Sequence, residues 1–213
     1  MTYPFLDSQT TIPTPSITTF NANSLSAYGN TSTSSQKVRF GGILRIIKSL
    51  LAVSLILCIQ ETHLGANDKS TLQKELPGHK ILYNNYEQGA AGTVLVVNKK
   101  LLKYYDTIEG PPTEATKGHI QMVRFKPRRG HRTKRKPFNV VNCYISNGEE
   151  RKEQIRSLLE INPGVINIVL GDFNFTEHRE DSPTLDSDRF LSGELRNRST
   201  NTHTLLSHSP LSG

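Results

Sequence analysis

Four times along this chain a short apolar run gives way abruptly to a cluster of carboxylate, amide or hydroxyl residues. Ile17–Phe20 leads into Asn21-Ala22-Asn23, and Val53–Ile59 into Gln60-Glu61-Thr62. Phe138–Ile145 leads into Ser146-Asn147, and Val165–Leu170 into Gly171-Asp172-Phe173-Asn174. Runs this short, rich in β-branched and aromatic residues, read as buried strands rather than helices. In α/β folds, strand ends are where sites assemble. The pattern therefore predicts an α/β domain with a polar site built from several strand ends.

The intervening sequence completes that picture. Ile43, Ile46, Ile47 and Leu50 recur at helical spacing between Lys37 and Leu51, which predicts an amphipathic helix despite Gly41 and Gly42. The segment before it, Gly29–Gln36, reads as a polar loop. Segments 79–86 and 92–98 read as strands joined by a turn at Gly89–Gly92. His119–Phe125 and Phe138–Ile145 read as a hairpin with the basic segment Lys126–Lys136 at its tip. Ile155, Leu158 and Leu159 share one face of a helix over 149–160, ended by Asn162-Pro163-Gly164. No strand is expected beyond Phe175.

With 213 residues the chain suits one domain with tails, and its 35% hydrophobic and 7% aromatic content is lean enough that some of the length should lie outside a core. The expected division is a disordered leader over 1–16, a domain over 17–176 and a disordered polar tail over 177–213. Cys58 and Cys143 each sit inside an apolar run, without the spacing of a disulfide framework or zinc site, so reduced, buried and intracellular thiols are expected. Ser49–Ile59 is only about half the length a membrane span requires, and no secretory signal is visible at the N-terminus. The net charge of +7 points to a polyanionic partner.

Considered as chemistry, the strand ends offer two carboxylates, Glu61 and Asp172, among the amides of Asn21, Asn23, Asn147 and Asn174. These are hard oxygen donors, which suit Mg²⁺ or Mn²⁺. Phosphodiester cleavage needs a positioned water, a group to take its proton, and donors or positive charge on the phosphate oxygens. Those parts are present.

Four segments taken in order carry a more specific signal: Thr19-Phe20-Asn21-Ala22-Asn23-Ser24-Leu25, Ile56-Leu57-Cys58-Ile59-Gln60-Glu61-Thr62-His63, Val141-Asn142-Cys143-Tyr144-Ile145-Ser146-Asn147 and Val169-Leu170-Gly171-Asp172-Phe173-Asn174. They resemble successive signature motifs of the endonuclease/exonuclease/phosphatase superfamily, in particular the apurinic-endonuclease-like domain of non-LTR retrotransposons. The resemblance implies a four-layer α/β sandwich of two mixed β-sheets flanked by helices. It implies Glu61 as the principal Mg²⁺ (or Mn²⁺) ligand with Asn23 beside it, and Asn21 close by. Asp172 would orient or deprotonate the attacking water, and Tyr144, Asn147 and Asn174 would bind the scissile phosphate or steady Asp172.

Two departures from the superfamily pattern stand out. Asn23 occupies a position often acidic in related DNA-repair enzymes. Relatives also carry further strands and a closing Ser-Asp-His motif, which Ser207-His208-Ser209 echoes without its Asp, so His208 is a candidate for the catalytic histidine and the domain is expected to be incomplete at its C-terminal end.

Arg128, Arg129, Arg132, Lys134, Arg135 and Lys136 are expected to contact a DNA backbone without reading bases, and the same residues also fit a nuclear-localisation signal. The leading expectation is a Mg²⁺-dependent, nuclear endonuclease that nicks target DNA for an attached reverse transcriptase domain. A catalytically degenerate nucleic-acid-binding remnant and a phosphatase of the same fold are the alternatives.

Overall fold

The computed structural model describes residues 16–25, 34–64, 66–85, 91–110, 116–129, 135–161 and 166–174. The expected leader, the polar tail and His208 lie outside these residues apart from Ser16, as do Arg132 and Lys134.

Two four-stranded sheets organise the chain. The first combines β1 (Ile17–Asn21), β2 (Ile56–Gln60), β3 (His79–Asn84) and β4 (Thr93–Asn98) in the order β1-β2-β4-β3. The second combines β5 (Tyr105–Glu109), β6 (Ile120–Pro127), β7 (Phe138–Tyr144) and β8 (Ile166–Asp172) in sequence order. Each sheet is mixed, and each contains a single parallel pair. β1 runs parallel to β2 with Asn21 opposite Gln60, and β7 runs parallel to β8 with Tyr144 opposite Asp172. Parallel pairing puts the C-terminal ends of both members together, which is how residues far apart in sequence come to share one end of the fold.

The alternation of side chains along the strands builds the layers. Leu57 and Ile59 of β2 and Val94 and Val96 of β4 pack with Phe40, Leu44, Ile47 and Leu51 of α1 (Ser34–Val53) and Leu72 of α2 (Ala66–Glu75). Their neighbours Ile56, Cys58, Leu95 and Val97 turn the other way and meet Val123, Phe125, Phe138 and Val140 between the sheets. Val141 and Cys143 of β7 face Ile155 and Leu158 of α4 (Arg151–Leu159). The result is helix, sheet, sheet, helix, the expected four-layer sandwich. Both cysteines are free and fully buried, and burial raises each thiol well above its ordinary range. No helix among the described residues is long and apolar enough to cross a membrane.

The structure corrects several expected boundaries. The first helix begins at Ser34, so the end of the supposed Gly29–Gln36 loop is helical. That helix continues to Val53, which is 75% exposed, and the strand starts only at Ile56. Three elements were not expected at all: α2, the single turn α3 (Lys99–Leu102) and β5.

Candidate active site

Asn21 is the hinge of the polar cluster. Its Nδ2 donates to Oε1 of Glu61 at 3.1 Å and to Oδ2 of Asp172 at 2.8 Å, joining a residue just past β2 to the last residue of β8 in the other sheet. An amide NH₂ has two hydrogens, and here each goes to a different carboxylate. Its Oδ1 accepts the backbone N–H of Asn23 at 2.9 Å, which fixes the plane of the side-chain amide. Two carboxylates thus approach within reach of a single nitrogen. Like charges this close are tolerated only where donors or a cation offset them.

Asp172 is held from a second side. Its Oδ1 accepts the backbone N–H of Asn174 at 3.0 Å, while the Asn174 side chain donates to the carbonyl of Ile145 at 2.8 Å. Asn174 therefore ties the end of β8 to the end of β7. Gly171 immediately before Asp172 has φ +150°, and a Cβ there would lie 1.9 Å from the carbonyl oxygen of Cys143. Only glycine lets β8 approach β7 this closely, so the Gly-Asp pair is a packing requirement as well as a chemical one.

Tyr144, partly buried beside this cluster, is hydrogen-bonded through its side chain to Glu61. Its phenol is pushed up to about 12, first by burial, then by the charge of Glu61, the hydrogen bond to that carboxylate, and the charge of Asp172. At neutral pH it is an uncharged donor. Behind it stands His119, whose ring stacks on the tyrosine at 5.7 Å and 10° between planes. Tyr144 N–H donates to the His119 carbonyl at 2.7 Å, and Nδ1 of His119 lies 3.1 Å from the Tyr144 carbonyl. His119 was not singled out from sequence.

Strain concentrates in the same place. Asn23, Ser24, Glu61 and Asn174 have φ of 43°, 80°, 49° and 48°. Asn tolerates the left-handed region, but a Ser or Glu there costs about 1–2 kcal/mol. The backbone supports this cost locally: Ser24 N–H donates to the Glu61 carbonyl at 2.7 Å and Leu25 N–H to that of Thr62 at 2.8 Å. Strain over-determined by its surroundings is a feature of functional sites.

A buried network lies one layer below. Asn142 of β7, fully buried, donates to the carbonyls of Ile59 at 3.1 Å and Val94 at 3.0 Å, across the gap between the sheets. Its Oδ1 accepts from Nε2 of Gln60 at 2.6 Å, and Gln60 also exchanges hydrogen bonds with Thr19 of β1. Gln60 precedes Glu61, and Asn142 stands two residues before Tyr144. The network sets the height at which both are presented.

Of the residues expected from sequence, the structure thus brings together Asn21, Glu61, Tyr144, Asp172 and Asn174. Asn23 joins through its backbone, its carbonyl accepting from the Arg39 guanidinium, while its side chain is exposed. Asn147 is exposed in the turn before α4, and no hydrogen bond ties it to the cluster among the described residues. The basic segment is elsewhere. It joins β6 to β7, and β7 runs from Phe138 to Tyr144, so the residues flanking Phe138 lie at the opposite end of the strand, about 20 Å away. There Arg128 pairs with Asp106 at 2.9 Å, Arg135 stacks over the Tyr104 ring at 4.0 Å, and Arg129 and Lys136 are exposed.

The donor set fits a small divalent cation. Two carboxylates converge on one amide nitrogen, and the side chains bonded to them are amide and phenol groups rather than thiols. Among the described residues no group of three or more His, Cys, Asp or Glu side chains forms a metal cage. Mg²⁺ is commonly held by one or two carboxylates with water and phosphate filling the other positions, and Glu61 is placed to be such a ligand.

The same architecture is found in solved structures. The AP endonuclease LMAP from Leishmania major is similar with a TM-score of 0.57 at 14% identity, over 91% of this chain and 72% of that one. The catalytic domain of Xenopus laevis APE2 gives 0.54 at 16% identity, over 84% and 67%. A humanized D. rerio TDP2 carrying 14 mutations gives 0.52 at 15% identity, over 76% and 63%, so the chain spans less than two thirds of that structure. No protein-family model and no curated protein sequence matches the chain. The chain therefore shares the two-sheet fold of these AP endonuclease and TDP2 structures.

Proposed function

We propose that this chain is a metal-dependent phosphodiesterase acting on DNA, an endonuclease-like domain of the kind that nicks target DNA for non-LTR retrotransposons. The observation that carries the reading is the single Asn21 amide shared between Glu61 and Asp172, with the Tyr144 phenol on Glu61. That arrangement supplies a carboxylate for a cation, a second carboxylate for a water, and a neutral donor for a phosphate oxygen. The fold's likeness to AP endonucleases supports the DNA phosphodiester as substrate, and the four motifs support the retrotransposon branch, with the parent element's reverse transcriptase as an attached partner.

In the reaction, Asp172 is fixed by donors on both oxygens, so a lone pair stays aimed at a water that it orients and deprotonates. Asn21 keeps Asp172 and Glu61 in register across the two sheets. Tyr144 remains protonated and turns its one hydrogen from Glu61 to a non-bridging oxygen as negative charge develops on the phosphorane. Glu61 would hold Mg²⁺ (or Mn²⁺), which when bound supplies positive charge to the phosphate oxygens. Asn174 acts through Asp172 as a positioning residue.

Nicking of supercoiled plasmid with Mg²⁺ tests this. Glu61→Ala and Asp172→Ala are each expected to reduce nicking by at least about 100-fold, and a chelator to abolish it. Nicking that survives both substitutions would overturn the assignment. A folded chain that binds DNA without nicking would instead identify a degenerate, binding-only domain.

A further inference from the structure

We propose that the end of the sandwich opposite the carboxylates is a second nucleic-acid surface, which grips the phosphate backbone of duplex DNA independently of cleavage. The choice of DNA as partner rests on the catalytic reading above; the surface itself is read from the fold.

Three separate segments bring cations to this end. The α3–β5 junction contributes Lys100 and Lys103, the end of β6 contributes Lys126 and Arg129, and the approach to β7 contributes Lys136, all exposed. Their proximity is fixed by pairing: Asp106 lies opposite Lys126, the Arg128 N–H donates to the Tyr104 carbonyl at 3.0 Å, and the Arg135 guanidinium lies 4.0 Å over the Tyr104 ring. The neighbouring carboxylate, Asp106, is already engaged by Arg128 at 2.9 Å. Among the described residues none of the five cations is held in an ion pair. The Arg135 guanidinium lies over the Tyr104 ring with its Nε and Nη2 buried, so it fastens the approach to β7 onto the α3–β5 junction while the exposed cations face outward.

A single basic loop is most simply a solvated loop. Convergence of three segments on one pole, with its acid spent, produces a field that a loop alone does not. The position also decides what the surface does. Some 20 Å of β7 separates it from Tyr144, about six base pairs of B-form duplex, so phosphates bound here are not those being cut. A DNA segment held at this pole raises the local concentration of substrate at the other.

The test compares the full chain with a variant carrying Lys100→Gln, Lys103→Gln, Lys126→Gln, Arg129→Gln and Lys136→Gln. Binding to a duplex of about 30 base pairs is followed by fluorescence anisotropy in chelator, between about 50 and 200 mM salt. If each cation neutralises one phosphate, the slope of log K against log salt becomes shallower by about 4.5. Hydrolysis of bis(4-nitrophenyl) phosphate with Mg²⁺ stays unchanged, and an unaltered melting temperature shows that the variant is folded. An unchanged slope and affinity would overturn the proposal, as would a loss confined to phosphatidylserine vesicles. If the wild-type chain hydrolyses neither diester nor plasmid while the slope still becomes shallower, the catalytic reading fails and this surface stands.

Discussion

Replacing Asn142 by Leu tests the claim that a buried polar network ties the two sheets together beneath the site. The side chain is fully buried and makes three hydrogen bonds, donating to the carbonyls of Ile59 and Val94 and accepting from Gln60. Leucine keeps the branched shape but is larger, and its methyls cannot sit at hydrogen-bond distances, so overpacking adds to the loss. Three hydrogen bonds at about 1 kcal/mol each, plus about 1–2 kcal/mol for the stranded Gln60 amide, give an expected loss of about 4–5 kcal/mol. That is a large part of the roughly 5–15 kcal/mol available to a domain. Urea unfolding of the full chain reads it as a lowered midpoint at unchanged slope. The second arm is the double variant with Gln60→Leu, which removes the orphaned donor along with its partner. Its loss should fall short of the sum of the two single losses by about 1–2 kcal/mol, because both ends of the short 2.6 Å bond are then apolar. A single-variant loss below about 1 kcal/mol, or strictly additive losses, would refute the reasoning.

Two further outcomes are expected. Gly171→Ala should destabilise by more than about 3 kcal/mol and reduce soluble yield, since a Cβ 1.9 Å from the Cys143 carbonyl oxygen forces β7 and β8 apart; a melting temperature within a few degrees of wild type would count against it. Tyr144 and Tyr83 both have phenols raised from 10 to about 12 in the folded chain, so their stabilising effect is complete below pH 10 and is lost as pH rises through 12. Stability should therefore fall above pH 10, less steeply in Tyr144→Phe, and the activity ratio of that variant to wild type should stay flat between about pH 6 and 9 because the phenol is not titrating there.

How much of this was legible in the sequence follows from where each element's apolar residues point. β2, β4 and β7 are buried on both faces, so they read as continuous apolar runs and were found. Among the described side chains of α2, Leu72 is the one hydrophobic in the core, which leaves no helical period to detect. β5 reads Tyr-Asp-Thr-Ile-Glu with only Tyr105 buried, a charged edge strand that resembles a loop. Val53 misled in the opposite sense: a β-branched residue next to an apolar run, yet solvent-facing at the end of α1. Apolar character marked burial in the interior strands and, by its alternation, in β6, and failed at α2 and β5, where too few hydrophobics recur to show a period.

The site divides along a different line, between identity and direction. Glu61, Tyr144 and Asp172 were legible because each closes a buried strand, and a carboxylate or phenol at such a point has few structural reasons to be there. The role of Asn21 as the shared donor was not, since its two partners lie 40 and 151 residues away and only the paired sheets bring them to one nitrogen. His119 carries no motif; its place behind Tyr144 comes from β6 pairing Ile120 with Cys143. The basic segment shows the cost of reading composition without direction. Its charge was visible, and so was its connection to the strand bearing Tyr144, but β7 leaves the basic tip and travels away from it. A cluster of arginines before a catalytic strand's first residue belongs to the far pole, and a cluster after its last residue would have belonged to the site.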